Sequence, residues 1–235
     1  MKNQYFGDIN DFKKYGLIRA LSGGGEISTA VCWMLTDDDV GRDGRKTTYL
    51  SQAGIYRSLD PRLFDSLKKC LRTGRRDVAM AERWNIIPSA AYYRRRLADD
   101  AGVRREYFSE FFSICRENDL IFFDPDNGME VRSVPLGRKG SSKYLYWKEF
   151  SYAFGLGQSV LIYQHFPRVK REQFTGSIVS EIAGCSRVSC VISFRTSNVL
   201  FLLAVQKKHR NYFRQRAREL GRRWEPHISV EFHTR

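Results

Sequence analysis

Residues 120–128 read Leu-Ile-Phe-Phe-Asp-Pro-Asp-Asn-Gly, a short apolar run that ends in two acids and a turn. Four consecutive apolar residues predict a strand buried on both faces, because a strand with one solvated face would alternate apolar and polar residues. The acids then stand at the carboxyl end of that strand, where open α/β sheets bind ligands. This stretch therefore predicts both a parallel sheet and its functional edge.

The residues that follow alternate between helix and strand patterns. We predict helices over 144–154 and 169–183, a buried strand over 159–163, and two apolar strands over 188–194 and 199–205. Short strands separated by helices indicate parallel pairing, whereas the last two strands are joined by so few residues that they must be antiparallel. The predicted fold class is α/β: a Rossmann-like, mostly parallel sheet with helices on both faces and a C-terminal antiparallel hairpin.

The first half of the chain fits the same class. A helix is predicted over 11–21, capped by Asn10 or Asp11, and a buried strand over 29–35. Further helices are predicted over 61–71 and 104–115, the former opened by Asp60 and Pro61. We find no internal repeat and no long linker, so we predict a single α/β domain over 1–235 with loop insertions.

The charge balance points to a polyanionic partner. Lys and Arg number 40 against 26 Asp and Glu, a formal net charge of +14 over 235 residues. An excess of this size attracts nucleic acid, and arginines interleaved with aromatic residues suit phosphate contact with base stacking. The candidate nucleic-acid contacts are Lys143, Arg168, Arg94 and Arg95.

Cysteine usage and hydropathy exclude several classes of protein. The five cysteines have no C-x-x-C spacing, which indicates reduced core residues and neither a disulfide framework nor a Cys/His metal site. No run approaches the roughly 20 apolar residues of a spanning helix. We therefore expect a soluble cytoplasmic protein with no membrane partner.

Several stretches of the sequence resemble known protein families. Asp124-Pro125-Asp126-Asn127 resembles the D/N-P-P-Y/F motif of amino-directed nucleic-acid methyltransferases, and residues 5–15 resemble the start of ribosomal-RNA adenine-N6 methyltransferases and of three-Cys-motif partner proteins. The whole chain, including Asp43-Gly44-Arg45 and residues 163–168, is similar to a bacterial family that carries the D-P-D-N-G motif. The predicted strand order, with its final hairpin, is also the layout of the S-adenosylmethionine-dependent methyltransferase fold.

The methyltransferase resemblance implies S-adenosylmethionine as cofactor and an RNA or DNA base as substrate. In that family the strand's acid holds the target amine, a role that falls to Asp124 with Asn127. Asp126 and Asn127 replace the motif's second proline and aromatic ring, so the stacking ring would come from Tyr163, Phe166 or Trp147. The candidate catalytic residues are Asp124, Asp126, Asn127 and His165, the last because it follows a buried strand beside Gln164; the candidate cofactor-binding residues are Asp37, Asp38, Gly41 and Gly44.

Two other interpretations remain open. The acids after two strand ends suit Mg²⁺, which takes oxygen ligands, so Asp38, Asp124 and Asp126 would serve a magnesium-dependent nuclease or phosphodiesterase. The altered proline and aromatic positions instead favour a non-catalytic nucleic-acid-binding module on a degenerate methyltransferase scaffold.

Overall fold

A computed structural model describes residues 1–38, 44–185 and 188–234. The helices are α1 Ile9–Ser22, α2 Ala53–Tyr56, α3 Pro61–Arg72, α4 Ala79–Arg83, α5 Ala101–Ile114, α6 Trp147–Gly155, α7 Arg171–Cys185 and α8 Arg210–Trp224. The strands are β1 Thr29–Cys32, β2 Ala91–Tyr93, β3 Leu120–Phe123, β4 Gly128–Met129, β5 Tyr144–Leu145, β6 Ser159–His165, β7 Cys190–Arg195, β8 Val199–Ala204 and β9 Ser229–Thr234.

Seven of these strands form one sheet in the order β2-β1-β3-β6-β8-β7-β9. The pairs from β2 to β6 are all parallel, while β8 runs antiparallel to both β6 and β7. Strand β8 is thus a reversed strand inserted between two that run the same way, and β9 closes the edge antiparallel to β7. The mostly parallel sheet and the C-terminal hairpin are confirmed.

The sheet is covered by helices on both faces, as predicted. Alternate residues of β1 show why: Val31 packs into a core with Phe12 of α1 and Phe213 of α8, whereas Cys32 packs into a second core with Phe111 of α5 and Ile178 of α7. A strand buried on both sides has no polar face, which explains the unbroken apolar runs in the sequence.

Several predicted boundaries shift for local reasons. Asp8, and not Asn10 or Asp11, caps α1, because its carboxylate accepts hydrogen bonds from the backbone N–H groups of both later residues. The helix predicted over 144–154 begins only at Trp147, since Tyr144 and Leu145 pair with β4 instead. Strands β2 and β9 and helix α8 are additions that the sequence patterns did not predict.

Within the part of the chain that the structure describes, no helix is long and apolar enough to cross a membrane.

Candidate functional site

The candidate site lies where the strand order of the sheet reverses. After β1 the chain adds β2 on one side of it, then returns to place β3 on the other side. The carboxyl ends of β1 and β3 therefore flank a topological switch point, the position at which open α/β sheets leave a crevice. Residues 33–38 follow β1 at this edge, and the D-P-D-N-G stretch follows β3.

A cavity of about 310 Å³ opens at this edge. Its walls combine acids, lysines and aromatic rings from the N-terminal segment, α1, and the ends of β3 and β6. It is lined by Met1, Tyr5, Asp8, Asn10, Asp11, Lys14, Gly44, Lys46, Asp124, Pro125, Asp126, Tyr163, His165 and Asn198.

Lys14 joins α1 to the end of β3 at the floor of the cavity. Its Nζ lies 2.7 Å from Asp124 Oδ2 and 2.7 Å from Asp11 Oδ1, and all three side chains are almost completely buried. The ammonium also lies 5.4 Å from the ring centroid of Trp33 and 5.7 Å from that of Tyr163. One buried cation thus compensates two buried carboxylates, and removing it would leave both uncompensated.

The protonation equilibria of this network are displaced by burial and mutual charge. Burial raises the pKa of Asp124, although the charges of Lys14 and of the Met1 ammonium oppose the change. Burial alone would lower the pKa of Lys14, but the charges of Asp11 and Asp124 outweigh it and raise that pKa. Perturbed groups grouped in one cavity are typical of functional sites.

Asp8 is the carboxyl whose titration moves into the physiological range. Burial, reinforced by the negative charge of Asp11, raises the pKa of Asp8 to about 7. The backbone N–H groups of Asn10 and Asp11 and the charge of Lys14 favour the ionised form but do not outweigh burial. Asp8 therefore exchanges a proton near neutral pH while it lines the cavity.

Asp126 holds a second cluster beside the first. The Met1 ammonium lies 2.7 Å from Asp126 Oδ1 and donates to the backbone carbonyls of Asp124, at 2.9 Å, and Met34, at 3.3 Å. The Thr36 hydroxyl donates to Asp126 Oδ2 at 2.6 Å. These contacts lower the pKa of Asp126 despite its burial. A carboxylate and two carbonyls converging on one point form an acceptor set for an ammonium group.

The D-P-D-N-G loop owes its shape to Gln164. Gln164 Oε1 accepts from the Met129 backbone N–H at 2.8 Å, and its Nε2 donates to the Asn127 carbonyl at 3.1 Å. Gly128 has a φ of +122°, and a Cβ placed there would lie 2.2 Å from Gln164 Oε1. Glycine is favoured at this position because the φ is positive and because a side chain would displace the amide of Gln164.

The structure brings together three of the four predicted catalytic residues. Asp124, Asp126 and His165 line the cavity. His165 Nε2 lies 3.2 Å from the Tyr163 hydroxyl, and desolvation lowers the pKa of this imidazole against the charge of Asp126. Asn127 lies next to the cavity, where its backbone N–H donates to the carbonyl of Lys143 at 2.9 Å.

Of the predicted cofactor-binding residues that the structure describes, one lines the cavity and two do not. Gly44 lines the cavity, but its close approach is to the N-terminal segment: a Cβ there would lie 2.4 Å from Tyr5 Cδ1. Asp37 is exposed and paired with Arg96, and Asp38 accepts from the Gln4 backbone N–H at 3.1 Å. Gly41 lies outside the described residues.

The predicted nucleic-acid contacts lie outside this cavity. Arg168 follows β6 and is exposed, and Lys143 immediately precedes β5. Arg94 and Arg95 follow β2 and form surface ion pairs with Glu82 and Glu110.

Sequence analysis missed several residues that line the cavity, above all Lys14, Asp8 and Asp11. A signal was present, because Asp11, Lys14, Tyr15 and Ile18 are spaced three or four residues apart on the predicted first helix. A helix face that mixes an acid and a lysine with core residues predicts buried charges that pair with one another. Their partner, Asp124, is 110 residues away from Lys14 in the chain, a distance at which no local pattern indicates contact.

The alternative of a magnesium site is not supported by a cluster of metal-binding side chains in the described residues. No group of three or more His, Cys, Asp or Glu side chains is arranged there to hold a metal ion. Asp124 and Asp126 instead have ammonium groups as partners, and Asp38 lies on the exposed loop after β1.

Comparisons with known proteins find similarity among solved structures and not among sequences. No protein-family model matches the sequence, and no curated protein matches it either. Among solved structures, the chain is similar to the crystal structure of protein LPL1258 from Legionella pneumophila str. Philadelphia 1, described as a DUF519 protein. The TM-score is 0.45, with 11% sequence identity over 97% of each chain.

Proposed function

We propose that this chain is an S-adenosylmethionine-dependent methyltransferase that modifies an amino group of a nucleic-acid base. The observation that carries the proposal is the position of Asp124: it follows β3 at the switch point and lines a cavity while held by Lys14 at 2.7 Å. The reversed strand β8, inserted between parallel strands, agrees with the methyltransferase layout.

The residues around Asp126 fit the amino-acid end of the cofactor. A carboxylate oxygen and two carbonyl oxygens surround the Met1 ammonium, and the same acceptors suit the ammonium group of S-adenosylmethionine in its place. When bound, S-adenosylmethionine supplies an electrophilic methyl group.

Asp124 would orient the target amine. Its Oδ2 is occupied by Lys14, so in this proposal the carboxylate is fixed in orientation and accepts a hydrogen bond from an exocyclic amine through its other oxygen. Tyr163 and Tyr5 line the cavity and would take the place of the motif's missing aromatic ring. Phe166 packs on Phe174, and Trp147 packs on Phe150, so neither of these two alternatives lies in the cavity lining.

The proton released on methyl transfer needs an acceptor near neutral pH. Asp8 lines the cavity and, with its pKa raised by burial to about 7, would accept that proton; His165 lines the same cavity. A nucleic-acid substrate is supported by the formal charge of +14, since phosphate contacts contribute most of the sequence-independent affinity.

The proposal is tested with cofactor and substrate in turn. We expect S-adenosylmethionine to bind in calorimetric titration and, at about 100 times its Kd, to stabilise the fold by about 2.7 kcal/mol. Asp124→Ala should abolish transfer of a labelled methyl group to RNA or DNA, while Asp119→Ala, which alters an acid directly before the same strand, should not.

The outcomes separate the three interpretations. Cofactor binding with base methylation supports the proposal. Nucleic-acid binding without any response to millimolar S-adenosylmethionine would instead assign a binding module. Cleavage of nucleic acid that requires Mg²⁺ and is lost in Asp126→Asn would assign a nuclease.

A further inference from the structure

A second cavity lies along the outer surface of α5 and α6, and it shares no lining residue with the candidate site. Its volume is about 610 Å³, roughly twice that of the candidate site. It is lined by Ala101, Arg104, Arg105, Phe108, Ser109, Phe112, Ser113, Arg116, Lys148, Glu149, Tyr152 and Leu156. We call this cavity the α5–α6 groove.

Apolar side chains from both helices line the groove. Phe108 and Phe112 are one helical turn apart on α5, and Tyr152 and Leu156 are one turn apart on and just beyond α6. Tyr152 is 55% exposed and Leu156 40% exposed, large fractions for residues of this type. The rings of Phe112 and Tyr152 lie 4.7 Å apart between centroids and join the two helices. Phe108 and Phe112 are buried and form the floor of the groove, and Tyr152 and Leu156 form an exposed apolar ridge beside it. An apolar groove of this kind is typical of a surface that binds a helix.

The exposed charged residues that line the groove are all cations. Among the residues that line it, the only acid is Glu149, which is buried and paired with Arg104 at 2.7 Å. Arg105, Arg116 and Lys148 form no ion pair within the described ranges, although Lys148 interacts electrostatically with Glu130. The groove therefore presents three exposed cations. Arg105 lies in the first turns of α5, and Arg116 lies just past its end, about 16 Å further along at 1.5 Å per residue.

We propose that the α5–α6 groove binds an acidic amphipathic helix of a partner protein. Apolar residues at i, i+3, i+4 and i+7 of that helix would pack against Tyr152 and Leu156, and acids near both of its ends would meet Arg105, Lys148 and Arg116. This interaction is independent of the proposed methyltransferase activity.

Other occupants fit the groove less well. Single-stranded nucleic acid binds on exposed aromatic faces, but Phe108 and Phe112 are buried, at 5% and 9% exposure, which leaves Tyr152 as the one accessible ring of the groove. A second copy that used the same face would set these cations against their equivalents and be repelled.

The test uses a designed probe. A fluorescently labelled helical peptide of about 16 residues carries leucines at i, i+3, i+4 and i+7 and glutamates at both ends. A matched peptide carries lysines in place of the glutamates. We expect the acidic peptide to bind the full chain in an anisotropy titration, and more weakly as salt rises, while the basic peptide does not bind.

Groove variants locate the binding. Tyr152→Glu and Lys148→Glu should each raise the Kd of the acidic peptide about tenfold or more, as expected for a central contact and a complementary charge. Val169→Glu and Arg62→Glu alter an exposed apolar residue and an exposed cation outside the groove and should leave the Kd unchanged. Circular dichroism establishes that every variant is folded.

Three results would overturn the proposal. The first is equal binding of the acidic and basic peptides, or equal loss in groove and control variants. The second is a single-stranded RNA that displaces the peptide and whose own binding is lost in Tyr152→Glu, because the groove would then be a nucleic-acid site. The third is self-association of the chain in sedimentation that Tyr152→Glu abolishes.

Discussion

Both edges of the sheet carry polar networks beside β3, and the two networks differ in how their carboxylates are buried and partnered. At the carboxyl edge, Asp124 follows β3 and contacts Lys14 next to a cavity. At the amino edge, Asp119 precedes β3 and accepts from the Ser28 hydroxyl at 2.8 Å, while its Oδ1 lies 3.1 Å from His209 Nε2. His209 Nδ1 in turn lies 3.0 Å from the Ser159 hydroxyl.

The amino-edge network has the residue types of a hydrolase triad but a structural role. Ser159 is fully buried, and its hydroxyl is shared between His209 and the backbone N–H of Gln206. Burial opposes ionisation of Asp119, but hydrogen bonds from Ser28 and His209 outweigh it and lower the pKa of Asp119. This network joins β3, β6 and the start of α8, and its polar groups are used within the fold.

At the carboxyl edge the pKa of Asp126 is lowered as well, but the pKa values of Asp124 and Asp8 shift in the opposite direction. Burial raises the pKa of Asp124, and that of Asp8 reaches about 7. Ionisation of these carboxylates is unfavourable in the folded state. Because they lie beside a cavity, they are suited to bind a ligand that compensates their charge. The comparison teaches that the type of residue does not distinguish a site from a structural network, whereas the balance of burial and partners does.

The largest expected effect comes from replacing the cation of the carboxyl-edge network. Lys14→Met leaves Asp11 and Asp124 buried without their ammonium, so the free energy of unfolding should fall by about 3–5 kcal/mol. The neighbouring Lys13 is the matched control: it is 6% exposed, burial lowers its pKa, and it has no ion-pair partner among the described residues. Lys13→Met should leave stability unchanged or raise it. Urea denaturation measures both, and an equal loss in the two variants would contradict the network.

A smaller effect is expected from the loop that carries the site. Gly128→Ala places a Cβ against Gln164 and requires a positive φ, so it should cost about 1–3 kcal/mol and weaken ligand binding in the cavity. Gly140 also has a positive φ, of +87°, but a Cβ placed there would have no atom within 4 Å, so Gly140→Ala is the matched control. It should cost about 1 kcal/mol and leave ligand binding unchanged. Similar thermal shifts and ligand affinities for the two variants would show that Gln164 yields to the new methyl group.

At the amino edge, a substitution should affect stability alone. Ser159→Ala removes a partner from both His209 Nδ1 and the Gln206 N–H and should cost about 1–2 kcal/mol. S-adenosylmethionine affinity, measured by calorimetry, should stay at the wild-type value. A change in that affinity would mean that the two edges are coupled through β6, contrary to the division of roles described above.

The smallest effect concerns the pH dependence that Asp8 contributes. Its folded-state pKa of about 7 exceeds the ordinary value of 3.8, so the protonated form stabilises the folded state below pH 3.8, and that stability is lost as pH rises through 7. Between pH 6 and pH 8 the loss is on the order of 1 kcal/mol. Asp8→Asn keeps the helix cap and should remove this loss. Parallel wild-type and variant stability curves over that interval would contradict the raised pKa.

Local sequence patterns were sufficient for much of the sheet. Strand β3 has the predicted bounds, and the hairpin of β7 and β8 follows from its short connection, because both depend only on neighbouring residues. Strand β2 was missed because Ala91–Tyr93 is too short to show a period. Strand β9 was missed because Ser229–Thr234 is an edge strand that alternates between exposed and half-buried residues. Its position is defined by pairing with β7, which no local pattern indicates.

The sequence by itself determined the parallel sheet, its basic surface and the placement of Asp124 at a strand end. These depend on local apolar runs, on composition and on the rule that parallel strands share a carboxyl edge. Only the tertiary structure decided that Lys14 is the partner of Asp124, that Gln164 shapes the loop before Met129, and that Asp8 titrates near neutral pH. Each of these depends on burial and on contacts between residues far apart in the chain, which are set when the helices pack on the sheet.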